Sequence, residues 1–301
     1  MINRLMVNNL FGANRVFTLG QVEDGVVCDN IDGLGPVEAD LDTMKSVANG
    51  SHFLGHYVGN RNIVLNFIIS RTKTKTVEEV RTELYRFFRP GYGVDLTITS
   101  DTKIGYVYGQ VESVTPNIFD KESSVQVSII ANPYFINETI GNDYVNLPNN
   151  KTNSIVKYLG SIPNGIEIEI EVVNSGQHLP TNITFYELVA GPNQTKSMSF
   201  VMSERDIQNA ASISSYKFTN GDVIFITTAK GNKTAKLRRG GVEYNIIDAV
   251  KKAELEYLPS DQWPMLFPFA SAHSFRYEGT DRLAASAFRV RVYWETLFEG
   301  Y

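Results

Sequence analysis

The sequence predicts a mainly β protein of two domains, an α+β unit followed by a β-sandwich. Three observations predict it: apolar and polar residues alternate at period two along much of the chain, one stretch switches to helical spacing and carries its own cap, and a polar, asparagine-rich break interrupts the strands near the middle. The 301 residues are twice the ~150 expected of one domain, which leaves room for a core on each side of that break.

In chain order, the first informative segment is an extended arm, Leu41 to Asn60. It is punctuated by glycine and carries Met44, Val47, Phe53, Leu54 and Tyr57 without a clean period. Apolar residues in such an arm need a cover, and another subunit is the expected one. Strands follow at Asn62 to Ser70 and Val94 to Thr99, with a hairpin-like pair at Tyr106 to Thr115 and Ser123 to Ala131. Between the first two, Thr76 and Glu79 form a capping box, and Val77, Val80, Leu84, Phe87 and Phe88 share one helical face, so a helix is predicted from Val77 to Phe88. Arg89-Pro90-Gly91 stops it.

Pro133 ends the last strand of this half, and the polar residues 137–155 read as a linker between a first domain of residues 1–136 and a second of 156–301. The second domain shows the cleanest alternation, Ile166-Glu167-Ile168-Glu169-Ile170-Glu171-Val172. Further strands are expected at Ser197 to Met202, Val223 to Ile226, Thr234 to Arg239, Val242 to Ile247 and Phe288 to Tyr293, with a short amphipathic helix at Ser203 to Ala211. Asn220-Gly221-Asp222 and Gly240-Gly241 supply turns at sandwich spacing.

Composition removes several function classes. The hydrophobic fraction of 43% and charged fraction of 20% are those of a folded globular chain. A net charge of −5, spread evenly, offers no basic patch for DNA phosphates, so no sequence-specific nucleic acid is expected. No apolar run approaches the ~18 residues of a membrane span, so no membrane insertion is expected. Met1–Asn9 does not read as a secretory signal, from which synthesis and folding in a cytoplasm are the expectation. The single cysteine, Cys28, is expected to be a small buried apolar residue.

Constellations with chemical potential are few, and no catalytic residue, cofactor or metal is expected. His52 and His56 have the i, i+4 spacing of a helical metal pair, but Gly50, Gly55 and Gly59 oppose a helix and no third ligand is near. Glu167, Glu169 and Glu171 fall on one outward strand face, where carboxylates are solvated. The nucleophile-elbow, phosphate-loop and dinucleotide fingerprints are missing. Trp263, in a proline-rich segment with Phe267 and Phe269, is a candidate for carbohydrate stacking, with aromatic core packing the favoured alternative.

The order of motifs resembles the distal tail proteins of siphophages. The residues that carry it are Asp32-Gly33-Leu34-Gly35-Pro36-Val37-Glu38-Ala39, Arg61-Asn62-Ile63-Val64-Leu65-Asn66-Phe67, the helix ending Leu84-Tyr85-Arg86-Phe87-Phe88-Arg89-Pro90, Gly109-Gln110-Val111-Glu112-Ser113-Val114, and Asn132-Pro133-Tyr134-Phe135, where the family usually has an acidic residue in place of Asn132. Gly160 to Gly165, Asn220 to Ile224, Trp263-Pro264 and the strand from Tyr293 to Gly300 continue it through the second half.

The resemblance implies a tail-tube-like β-sandwich with one helix and an extended arm, followed by a galectin-like β-sandwich. It implies a structural virion protein at the distal end of the tail, a homohexameric ring contacting the tail tube protein, the tail-tip or tail-associated lysin protein, the tape-measure protein and receptor-binding or adhesion proteins. Leu41, Met44, Val47, Phe53, Leu54, Tyr57 and Arg61 are then the expected subunit-interface residues. The alternative function is a host-surface polysaccharide-binding module acting through Trp263.

Overall fold

The structure, a computed structural model of the chain, describes residues 1–45, 51–117, 123–137, 144–147, 152–173, 182–190, 195–229, 232–252, 263–268, 270, 272–279 and 287–301. Two compact units emerge: Met1–Gly141 together with Leu297–Tyr301, and Asn142–Thr296.

The first unit contains β1 (Ile2–Asn9), β2 (Asn14–Thr18), β3 (Val22–Glu23), β4 (Val26–Asp32), β5 (Ala39–Lys45), β6 (Ser51–Val58), β7 (Arg61–Ile69), α1 (Val77–Phe87), β8 (Gly93–Ser100), β9 (Ile104–Asn117), β10 (Ser124–Ala131) and β11 (Phe135–Asn137). One antiparallel sheet runs β2-β1-β8-β9-β10-β7-β4-β3, while β5 and β6 form a two-stranded sheet of their own. Alternation sets the faces. Ile63, Leu65, Phe67 and Ile69 of β7 point to the core, and Ile129, Val127 and Val125 of β10 lie directly opposite the first three, giving apolar cross-strand pairs. The sheet curls over that core, since Phe17 of β2, at one end of the strand order, packs 5.0 Å from Phe67 of β7.

Helix α1 closes this core. Thr76 accepts from the Glu79 amide and Glu79 accepts from the Thr76 amide, completing the predicted capping box. Val80, Leu84 and Phe88 are buried, with the Phe88 ring 5.6 Å from Phe67. Together these three side chains contribute roughly 5–9 kcal/mol of apolar burial before chain entropy is set against it. Cys28 is buried as expected, and burial followed by the charge of Asp29 pushes its thiol up to about 12.

The second unit contains β12 (Tyr144–Leu147), β13 (Ser154–Val156), β14 (Asn164–Gly165), β15 (Glu167–Val172), β16 (Asn182–Ala190), β17 (Thr195–Ser203), α2 (Glu204–Ala211), β18 (Val223–Thr227), β19 (Thr234–Arg239), β20 (Val242–Asn245), β21 (Lys251–Lys252), β22 (Met265–Leu266), β23 (Ala272–Gly279) and β24 (Phe288–Tyr293); β25 (Leu297–Phe298) follows. Two sheets, β12-β24-β15-β18-β19-β20 and β13-β23-β16-β17-β21, enclose one core. Ile168, Ile170, Ile224 and Val290 face it from the first sheet, and Phe185, Phe200 and Phe275 from the second. This is a sandwich. The predicted glutamate row lies on its outer face, where Glu169 and Glu171 pair across the strand with Arg291 at 2.9 Å and Arg289 at 2.7 Å.

Two expectations are corrected. Residues 144–147, assigned to the linker, form β12, which pairs with β24 and buries Leu147. The last five residues, assigned to the second domain, pack with the first unit, because β25 pairs with β11 and places Phe298 opposite Phe135.

Candidate functional site

The arm is a hairpin. β5 and β6 pair from Ala39↔Val58 to Lys45↔Ser51, with a bulge between Asp42 and Thr43. Every side chain from Ala39 to Met44 is exposed. Leu41 is 65% exposed, Met44 56% and Tyr57 68%, so these three do not fold back onto their own unit. Tyr57 lies opposite Asp40, and Leu41 is one residue on in β5, so the exposed apolar chains emerge on both faces of the ribbon. An isolated two-stranded ribbon is marginal in water, and this one leaves Leu41, Met44 and Tyr57 turned outward. Val47 and the side chains of Phe53 and Leu54 lie outside the described residues. His52 and His56 fall on β6 rather than on a helix, which sets them about 13 Å apart along the strand.

Arg61, expected at the subunit interface, is instead buried within its own unit. It is 2% exposed and inward-facing at the start of β7. Its Nε donates to the Pro133 carbonyl at 3.0 Å, and its Nη1 to those of Gly33 at 3.0 Å and Gly35 at 3.2 Å. The Nη2 donates to the Glu299 carbonyl at 2.5 Å and also to Pro133. All five guanidinium donors are thereby used inside the first unit. The guanidinium lies 4.1 Å from the centre of the Phe135 ring, and burial lowers its pKa to about 10, which leaves it charged at neutral pH.

Around this arginine the backbone is drawn tight. Gly33 has φ +81°, and a Cβ there would stand 1.9 Å from the Asn62 carbonyl oxygen. A Cβ on Gly300 would stand 2.8 Å from the Leu34 oxygen. Tyr301 donates its amide to Leu34 at 2.9 Å and its hydroxyl to Ile98 at 2.7 Å, with its ring edge-on to Phe135 at 5.4 Å.

The second unit holds a buried ionisable pair that the sequence reading did not single out. Glu187 and His273 are both fully buried, 2.8 Å apart through Nδ1. Glu187 also accepts the Met265 amide at 2.9 Å, and the His273 Nε2 accepts that of Phe267 at 3.1 Å, so the pair fastens residues 265–267 to the sheet. Burial raises the Glu187 carboxyl above its ordinary value despite the histidine. The signal was present: Ile183, Phe185, Glu187 and Val189 share one parity, as do His273, Phe275 and Tyr277, so a carboxylate and an imidazole occupy core positions.

Trp263 is half-buried against the second core, with Lys233 Nζ 5.6 Å from its ring centre. An open cleft at the ends of β15, β18 and β24 is lined by Glu167, Glu295, Trp294 and Tyr293. Burial and then the charge of Glu167 raise the Glu295 carboxyl.

No family model and no curated protein sequence matches the chain. Among solved structures the chain is similar to the Dit protein (gp 19.1) of SPP1, described as a paradigm of the hub adsorption apparatus in phages that infect Gram-positive bacteria. The identity is 13%, the TM-score 0.60, and the match covers 98% of this chain and 99% of that one. A chain of the phage p2 baseplate in its activated conformation with strontium matches at 10% identity and TM-score 0.40, over 97% of this chain and 98% of that one. A second, with calcium, matches at 12% and 0.37, over 93% and 99%. On the first of these, the chain has the Dit fold along its whole length, the mainly β architecture that the resemblance to distal tail proteins implied.

Proposed function

We propose that this chain is a structural subunit of the distal tail hub of a siphophage, working by assembly rather than catalysis. The observation that carries the reading is the β5–β6 hairpin, a separate ribbon whose Leu41, Met44 and Tyr57 are left to water by their own unit. Exposed apolar groups of this kind mark association surfaces. The whole-length likeness to a hub protein supports the same reading.

In this reading the hairpin of each copy is covered by its neighbour, and a head-to-tail contact of that type closes into a ring when the rotation permits. A homohexamer joins the tail tube protein on one face and the tail-tip or tail-associated lysin protein on the other. The tape-measure protein lies near the bore, and the second unit offers an outer docking surface for receptor-binding or adhesion proteins. Light scattering on the purified chain tests it: a mass near six times 33.7 kDa is expected, and a monomer at every concentration overturns it.

A further inference from the structure

We propose that Arg61 and the segment Leu297–Tyr301 form a latch that positions the β5–β6 hairpin, so that self-association depends on residues remote from the contact surface. The proposal rests on the self-association reading above. Among the described residues, β5 and β6 pair in a sheet only with each other, so the stance of the ribbon is set at its two roots. The leading root, Gly33 to Gly35, is held through three consecutive carbonyls: those of Gly33 and Gly35 by Arg61 and that of Leu34 by the Tyr301 amide. The trailing root is Arg61 itself, three residues beyond the end of β6.

The same guanidinium holds Pro133, just before β11, and Glu299, just after β25, and these two strands pair with each other. One side chain therefore ties four separate stretches of chain at the foot of the hairpin. A planar fork with five donors can do this, and a lysine, with three donors on one atom, cannot. The tail is fitted closely: the Tyr301 ring occupies the space that a Cβ on Gly105 would need, 2.2 Å away, and Gly300 sits against Leu34 and Gly35. Neither Gly300 nor Tyr301 is on the hairpin, which separates positioning from contact.

Hydrogen–deuterium exchange on the full chain, read beside its assembly state, tests the latch. Gly300→Val and Tyr301→Ala are expected to speed exchange of peptides spanning residues 39–58 at least tenfold, to leave α1 and β10 at the wild-type rate, and to raise the concentration of half-assembly at least tenfold. Tyr301→Phe, which keeps the ring and the amide, is expected to restore slow exchange. Unchanged exchange in the hairpin in both variants overturns the proposal, as does uniform acceleration across the first unit, which would make the contact an ordinary part of the core. A wild-type chain that never assembles, yet shows the hairpin effect, would instead overturn the self-association reading and leave the positioning role standing.

Discussion

Replacing Leu41, Met44 and Tyr57 together with serine removes the exposed apolar surface on which the proposed contact depends. Burying a side chain of this size completely contributes roughly 1.5–3 kcal/mol. The fractions still open to water are 65%, 56% and 68%, so each position has about 1–2 kcal/mol to give to a neighbour, and the three about 3–6 kcal/mol per interface. At 1.4 kcal/mol per factor of ten, each interface weakens by roughly two to four orders of magnitude. Within one chain the same substitutions cost little, because each exposed position usually falls within about 0.5 kcal/mol, or a melting shift of about 2 °C or less apiece. Light scattering across a concentration series should find the wild type near six times 33.7 kDa and the variant at 33.7 kDa, with matching melting curves at dilutions where both are single chains, since assembly itself raises the melting point of the folded state. A variant that assembles like the wild type would show that these side chains are not the contact. So would one that melts many degrees lower, which would mean that the hairpin packs on its own unit.

Other perturbations probe the frame. Arg61→Met removes five hydrogen bonds to the part-buried carbonyls of Gly33, Gly35, Pro133 and Glu299; at about 0.5–1.5 kcal/mol net per bond the first unit should lose roughly 3 kcal/mol or more, read as a fall in its denaturation midpoint, and an unchanged midpoint would contradict the buried role. Thr76→Ala removes half of the capping box and should cost about 1 kcal/mol in the same assay; a cost near zero would show that α1 is held by packing alone. The Glu187 carboxyl is raised from its ordinary 4.5, so its contribution to folding is full below that value and is lost as pH rises through the folded value. Glu187→Gln should therefore gain on the wild type in melting temperature between acid and neutral pH, and a difference that stays constant or moves the other way would contradict the assignment.

Local pattern made much of this fold legible. The capping box of α1, the alternation of β7, β10, β15 and β24, and the turn at Gly240-Gly241 are each contained in a window of a dozen residues, and the structure places them at or within a residue or two of the expected bounds. Arg61 was misplaced for a physical reason. Charged residues are expected at surfaces, yet Arg61 shares the parity of Ile63, Leu65, Phe67 and Ile69, and that parity decides its direction. Glu187 and His273 stand at inward positions in the same way, and only a partner on another strand makes either burial tolerable. The segments least legible were those defined by distant pairing. Tyr144 to Leu147 is too short to show a period, and nothing near Leu297–Phe298 in sequence announces that it will pair with Phe135–Ile136. The apolar arm stood out in the sequence, and Leu41, Met44 and Tyr57 are exposed along it, while its pairing was hidden by the bulge after Asp42.

In the proposed closed ring, one copy's β5–β6 hairpin is covered by the next copy. Single-particle electron microscopy of the purified full chain tests it most directly. Six-fold rings are expected, with the exposed Leu41, Met44 and Tyr57 seated on the adjacent copy. Single chains at every concentration, or rings whose hairpins lie against their own unit, would contradict it.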